Sequence, residues 1–323
     1  MRKQAKKLGL AIIGAKKAAL FVDGRYTVQA TDQVDTTIFE IIQIPETEPR
    51  EWLAKNLPEG ARIGFDPWLH TRAAVARLED GLSTSGLTLK SLSRNPVDLI
   101  WGAERPAPPK GPLAVQPLEW AGVSAADKIK TLQKQLKTAG EDAVVLTLPD
   151  SIAWLFNVRG SDVKHNPTPL AFAIVPAASK PEIFIDKAKL GPEVMKHLGA
   201  IAHIRAPDAL ADRLSTLRTE KKRVRLDMAT AAMWIWQKLG GARGNISDAS
   251  DPCILPKARK NEAEIRGARI AHERDGIAVI RFLAWLDREA PRGGIDEITA
   301  VRTLEAMREI GRASCRERVF GYV

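Results

Sequence analysis

Cysteine, tyrosine and histidine are scarce here, with two, two and five residues in a chain of 323. Cys253 and Cys315 lie far apart, and neither belongs to a CxxC or Cys/His ligand spacing. That excludes a disulfide framework and a zinc ribbon, and it places the protein in a reducing, cytoplasmic setting. No window approaches the roughly 18 apolar residues of a membrane span, so a membrane protein is not expected. The opening MRKQAKKLGLAIIGAKKAALF has basic residues before an apolar stretch. Gly14, Ala15, Lys16 and Lys17 break that stretch and there is no convincing cleavage site, so it does not read as a secretory signal. Arg2, Lys3, Lys6 and Lys7 form a local basic cluster that reads as solvated surface.

Hydrophobic residues make up 45% of the chain, enough for the cores of two or three domains. The formal charge of +10 raises the question of phosphate binding. Lys and Arg are spread along the chain, however, and the densest later run, Lys221 to Arg223, sits beside Glu220 and leads straight into an apolar strand. Solvation explains it, and no nucleic-acid partner is expected.

Short apolar runs alternate with helix-like segments from Leu10 to about Trp101, which argues for an α/β layer structure. LAII and ALFV read as strands, Arg25 to Val34 as a helix, FEIIQI and RIGF as further strands. Five prolines and Gly111 between Arg105 and Pro117 mark a linker. Beyond it DAVVLT, PLAFAIV, EIFID and VRLD alternate with helices, the last from about Ala229 to Leu239, giving a second α/β domain. After Pro252 only helices are expected: a capping-box start at Asn261 and Glu264, a stripe of Ile265, Ala268, His272, Val279, Leu283 and Leu286, and a second helix from near Asp296. Two helices cannot close a core, so this part reads as an incomplete domain. The expected divisions are 1–104 and 118–252 for the two α/β domains, 105–117 for the linker, 253–309 for the start of a third domain, and 310–323 as a tail.

The two halves carry a weak internal repeat. ALFVDGRY matches EIFIDKAK, with Asp23 and Asp186 in the same place, and RIGFD at Asp66 matches VRLD at Asp227. The intervals, 43 residues from Asp23 to Asp66 and 41 from Asp186 to Asp227, nearly agree. Each Asp ends an apolar strand where its side chain can cap the next helix.

Three segments together carry a resemblance: AALFVDGRYTVQA (Ala18 to Ala30), WLFNVRGSDVKHNPTPLAFAIV (Trp154 to Val175) and PKARKNEAEIRGARIAHERDGIAVIRFLAWL (Pro256 to Leu286). In this order they resemble aminopeptidase P, the Xaa-Pro aminopeptidase family of M24-type metallopeptidases. The resemblance implies two creatinase-like α/β domains followed by the opening helices of a pita-bread α+β catalytic domain. It further implies removal of an N-terminal residue preceding proline by hydroxide held between two divalent metals, usually manganese. Peptides with proline second would be the substrates, and the full-length protein would be a homodimer. The family's metal ligands, two Asp, one His and two Glu, are expected beyond the end of this chain, so no catalytic or metal-binding residue is assigned and the chain alone is expected to be inactive. Met1 is expected to be an internal start, and Gly311 to Val323 resembles a translated adapter sequence more than any part of the family. Two alternatives stay open: a non-catalytic binding protein on the same lobes, and a creatinase-like hydrolase that works without metal.

Arg25 is the one candidate site residue. The resemblance places it at the substrate, where a guanidinium can pair with peptide oxygens. Asp23 is expected to cap the segment carrying Arg25, and Tyr26 to pack on the preceding strand. The polar loop Arg159, Ser161, Asp162, His165 and Asn166 is read as structural, with Asp162 and Asn166 bonding turn amides. His272, Trp154, Trp234, Trp236 and Trp285 are expected in cores or domain contacts, and Cys253 as a small buried hydrophobe.

Overall fold

The computed structural model describes residues 9–44 and 46–313. The basic cluster Arg2, Lys3, Lys6 and Lys7, Cys315, and the tail from residue 314 lie outside the described residues. The chain forms two compact units: one runs to Pro108 and adds Glu141–Val144 and Ala211–Asp251, and the other takes Pro109–Gly140, Val145–Leu210 and the chain from Pro252 on.

The first unit opens with strands β1 (Gly9–Ile13), β2 (Ala18–Asp23) and β3 (Phe39–Ile44) in that sheet order, β1 antiparallel and β3 parallel to β2. A short 3-10 turn (Gly24–Tyr26) and helix α1 (Thr27–Gln33) make the crossover. Helix α2 (Pro49–Asn56) starts on a capping box between Glu48 and Glu51, with proline in the first turn where its missing N–H costs nothing. Strands β4 (Arg62–Phe65) and β5 (Thr88–Ser91) pair in parallel around helix α3 (Arg72–Ser83), and the segment ends in helix α4 (Pro96–Trp101). Ala19, Phe21, Ile42, Trp52, Leu53, Leu82 and Leu87 form its core. Within the same unit the strands Val224–Leu226 and Ile246–Asp248 run parallel. The buried Glu141 carboxylate ties them by accepting from Arg225 Nε at 2.6 Å and Ser247 Oγ at 2.7 Å.

The internal repeat is visible as paired backbone. Asp66 and Asp227 each accept the amide two residues on, from Trp68 at 2.8 Å and Ala229 at 2.9 Å. The two turns then exchange hydrogen bonds: Met233 N donates to His70 O at 2.8 Å and Arg72 N to Ala231 O at 3.2 Å, while Trp234 N reaches Pro67 O and Ala73 N reaches Met228 O, both at 3.0 Å. Each bond maps onto its partner under one shift of 161 residues, the self-complementary arrangement of a two-fold contact. This pairing explains a difference from the sequence reading. The helix expected from Ala229 to Leu239 spans only Met233–Lys238, because Asp227 to Ala232 is held by the matching turn.

In the second unit strand β6 (Phe172–Pro176) pairs antiparallel with β7 (Glu182–Phe184), which pairs in parallel with β8 (His203–Arg205). Helix α5 (Ala125–Thr138), capped by Ser124, and helix α6 (Pro149–Leu155) contribute Ile129, Leu132, Leu136, Ile152 and Leu155 to the buried set. The linker contributes the short strand Ala114–Val115, paired with Val158–Arg159. Helix α7 (Glu262–Glu289) begins on the Asn261/Glu264 capping box and helix α8 runs from Glu297 to Ala313. The expected stripe on α7 is not a core: Ile265, His272 and Leu283 are exposed, and only Ala263 and Ala278 are buried. The helix packs on α8 and on the short helix Leu118–Ala121, too few neighbours to cover its girth. No described helix is long and apolar enough to cross a membrane.

Candidate functional site

Arg25 stands just past β2, where the apolar strand ends and Asp23 turns the chain. One carboxylate oxygen of Asp23 accepts the backbone N–H of Arg25 at 3.0 Å and Arg25 Nε at 2.8 Å, while the other accepts Nη2 at 3.3 Å. Asp23 therefore both caps the turn and grips the guanidinium in two-pronged fashion. The hydrogen bonds from Arg25 hold the Asp23 carboxyl below its ordinary range, so the pair stays charged throughout the neutral range. The Arg25 side chain remains 71% exposed, with Nη1 and one Nη2 proton free to meet an oxygen from solvent. Tyr26, half-buried, has its ring 5.8 Å from the guanidinium carbon.

The repeat supplies an internal comparison. Asp186 caps its own turn through Ala188 N at 2.9 Å, as Asp23 does through Arg25 N, but alanine stands where the first half has arginine. The turn needs the aspartate. It does not need the guanidinium, which leaves Arg25 available for a ligand.

In the second unit a buried polar cluster lies beside a cavity of about 220 Å³ lined in part by Trp154, Cys253 and Pro256. Lys128 Nζ donates to Asn157 Oδ1 at 2.8 Å and Trp154 O at 3.0 Å and sits 4.3 Å from the centre of the Trp154 ring. Burial is the main cause that lowers its pKa to about 8, against the pull of Glu264. Arg159 is shifted down by the same desolvation, again opposed by Glu264. Asn157 can hold this position because its backbone takes φ +49° and its amide donates to Val123 O at 2.9 Å. Gly122, at φ +70°, brings the chain against Asn261 where a Cβ would collide with the asparagine side chain. Sequence reasoning missed this cluster. Its only signal was a lysine on the apolar face of α5 that carries Ala125, Ile129 and Leu132.

The polar loop is structural, as its composition suggested. Asp162, whose side chain is fully buried, accepts from Gly111 N at 3.1 Å, Leu170 N at 2.7 Å and Lys189 Nζ at 2.7 Å, and Asn166 takes part in the turn through Val163 and Thr168. His165, at φ +60°, is exposed and lies 3.4 Å from Glu305. Cys253 is buried, and Trp154, Trp234, Trp236 and Trp285 are half-buried. His272 does not match its expected core role: it is exposed, with Nδ1 2.8 Å from Ala268 O.

These lobes and turns match known proteins. The creatinase/prolidase N-terminal domain family matches twice, at residues 5–98 and 104–264. The chain belongs to the creatinase/prolidase N-terminal domain family, as two creatinase-type α/β domains followed by helices, and along most of its length it is similar to Xaa-Pro aminopeptidases. The probable Xaa-Pro aminopeptidase P of Aspergillus clavatus is 36% identical over 93% of this chain and 47% of its own length, and that of Aspergillus niger 34% over 93% and 50%. The X-prolyl aminopeptidase of Caenorhabditis elegans, described as a cytosolic enzyme with a di-nuclear active site, superposes with a TM-score of 0.85 at 29% identity, over 94% of this chain and 50% of that one. The chain thus spans about half the length of the relatives it matches. Among the described residues no group of three or more His, Cys, Asp or Glu side chains could hold a metal ion. They do not fit a dinuclear centre, and none is assigned as a ligand.

Proposed function

We propose that the protein containing this chain is a cytoplasmic, homodimeric, manganese-dependent aminopeptidase that hydrolyses the bond between an N-terminal residue and proline. The observation that carries the reading is the 36% identity to Xaa-Pro aminopeptidases over 93% of the chain. Two manganese ions would supply an activated hydroxide for the hydrolysis in the whole protein. The described residues take other roles, with residues 1–104 and 118–252 as creatinase-like lobes and 253–309 as the start of the catalytic domain.

Arg25 is the proposed peptide-binding residue. A guanidinium already fixed by Asp23 loses little side-chain freedom on meeting a substrate carbonyl or carboxylate, so its remaining N–H groups are pre-organised for that contact. Its charge also favours peptides that extend past the proline over dipeptides, through their additional backbone oxygens. In the whole protein, release of the first residue should be fast from Xaa-Pro peptides and negligible from their Xaa-Ala counterparts. Equal rates on the two series would refute the proposal.

A further inference from the structure

Lys128 is a buried titratable group that the peptidase reading leaves without a role. The residue is 6% exposed and lines the cavity of about 220 Å³ beside Trp154 and Cys253. Buried ammonium groups are normally paired with a carboxylate. Lys128 has none within ion-pair distance among the described residues. Its Nζ meets two oxygens, Asn157 Oδ1 at 2.8 Å and Trp154 O at 3.0 Å, and the face of the Trp154 ring. Two acceptors match the two N–H bonds of a neutral amine, which would keep a lone pair that no donor engages.

Burial lowers the Lys128 pKa to about 8, so roughly one molecule in ten carries the neutral amine at pH 7. Glu264 and Cys253 work against that shift, whereas Arg159 and Lys260 add to it. The surroundings also leave cationic and donor groups uncompensated. Arg159, half-buried, donates only to Val158 O at 3.0 Å and has no carboxylate within ion-pair distance among the described residues. Thr131, Gln135 and Arg259 line the cavity with side-chain donors that bond no described residue. Glu264 is the one carboxylate among the lining residues, and its Oε2 already accepts from Asn261 N at 2.9 Å.

We propose that Lys128 is a carbamylation site whose reagent is carbon dioxide. The Nζ lone pair forms the N–C bond as one C–O π pair moves onto oxygen, and a proton leaves the nitrogen for solvent, giving Lys–NH–COO⁻ with no oxidant or cofactor. The product exchanges a buried cation for an anion beside Arg159 and the donors of the cavity. Acetylation would remove the same charge but leave a neutral amide, with one acceptor oxygen in place of two, so the surroundings select the carbamate. The N–H that remains can donate to Asn157 Oδ1, since Trp154 O also accepts from Asn157 N at 3.4 Å. The site is independent of the proposed cleavage of Xaa-Pro peptides.

The test equilibrates the unmodified protein with isotopically labelled bicarbonate and carbon dioxide, traps carbamates by O-alkylation with triethyloxonium, and locates the label by digestion and mass spectrometry. Lys130 and Lys134, exposed on the same helix, are the internal references. Lys128 should carry at least about tenfold more label than either, because a far larger fraction of it is neutral. The preference should vanish when the protein is unfolded in urea. Acetyl phosphate is the second arm, and acetylation of Lys128 without trapped carbamate would overturn carbon dioxide as the reagent. Labelling no greater than that of Lys130 and Lys134, label confined to the chain terminus, or a preference that persists in urea would overturn the site itself. The peptidase proposal would stand or fall separately on Xaa-Pro cleavage.

Discussion

Replacing Lys128 with methionine tests whether the buried ammonium organises the second unit. Methionine keeps the length of the side chain, and with it the packing on α5, but takes away the donors. Asn157 Oδ1, which now accepts from Lys128 at 2.8 Å, would be left without a partner in a buried site, at about 1–3 kcal/mol. Trp154 O would lose less, since it also accepts from backbone N–H groups of the helix end. Loss of the cation–π contact adds about 1 kcal/mol, and relief from burying a charge offsets part of the total. The net cost is about 2–3 kcal/mol, a fall in Tm of roughly 4–12 °C for a unit of this size.

The pH dependence has a defined sign. Lys128 titrates at about 8 in the folded protein against its ordinary 10.5, so between those values the unfolded chain binds more protons and the lysine's contribution to stability rises with pH. The gap between wild type and Lys128→Met should therefore widen from pH 8 to 10.5, by on the order of 2 kcal/mol once partial solvation is allowed for. Differential scanning calorimetry at a series of pH values reads both effects. An unchanged midpoint at pH 7, or a gap that narrows as pH rises, would refute the reasoning.

Arg25→Ala, made in the whole protein, should impair turnover of peptides that extend beyond proline while leaving the circular dichroism spectrum intact, and Arg25→Lys should not restore it because an ammonium lacks the planar fork. Normal kcat and KM across substrate lengths would assign Arg25 to the surface alone. Asp162→Ala should lower stability by about 3–5 kcal/mol, since it leaves the Lys189 ammonium buried without its counter-ion; a loss under about 1 kcal/mol in thermal melts would show that the loop rearranges to solvate it. Asn261→Ala removes the cap of α7 and its bond to Ala121 O, and should cost about 1–2 kcal/mol in the same assay.

The sequence made the α/β architecture readable wherever one signal dominated. ALFVD and EIFID announce strands followed by a turn that an aspartate caps, and the Asn261/Glu264 box sets the start of α7 to the residue. The repeat was legible as two matched intervals, but its meaning was not. Nothing in Asp227 to Ala232 shows that this stretch trades backbone bonds with residues 67–73, so the helix start was placed four residues early. His272 was misplaced for a related reason, since an apolar stripe gives the direction of a helix face and not whether anything covers it. The Lys128 cluster depends on contacts between residues distant in sequence, which a linear pattern does not encode.

We propose that the described residues hold peptide and fold, and do not supply the metal that cleaves. It is tested most directly by incubating this chain with an Xaa-Pro peptide across a manganese titration, beside a longer protein of the same family as positive control. The account predicts first-residue release by the control and none by this chain at any manganese concentration. Metal-dependent, proline-specific release by the chain itself, with contaminating peptidase excluded, would contradict it.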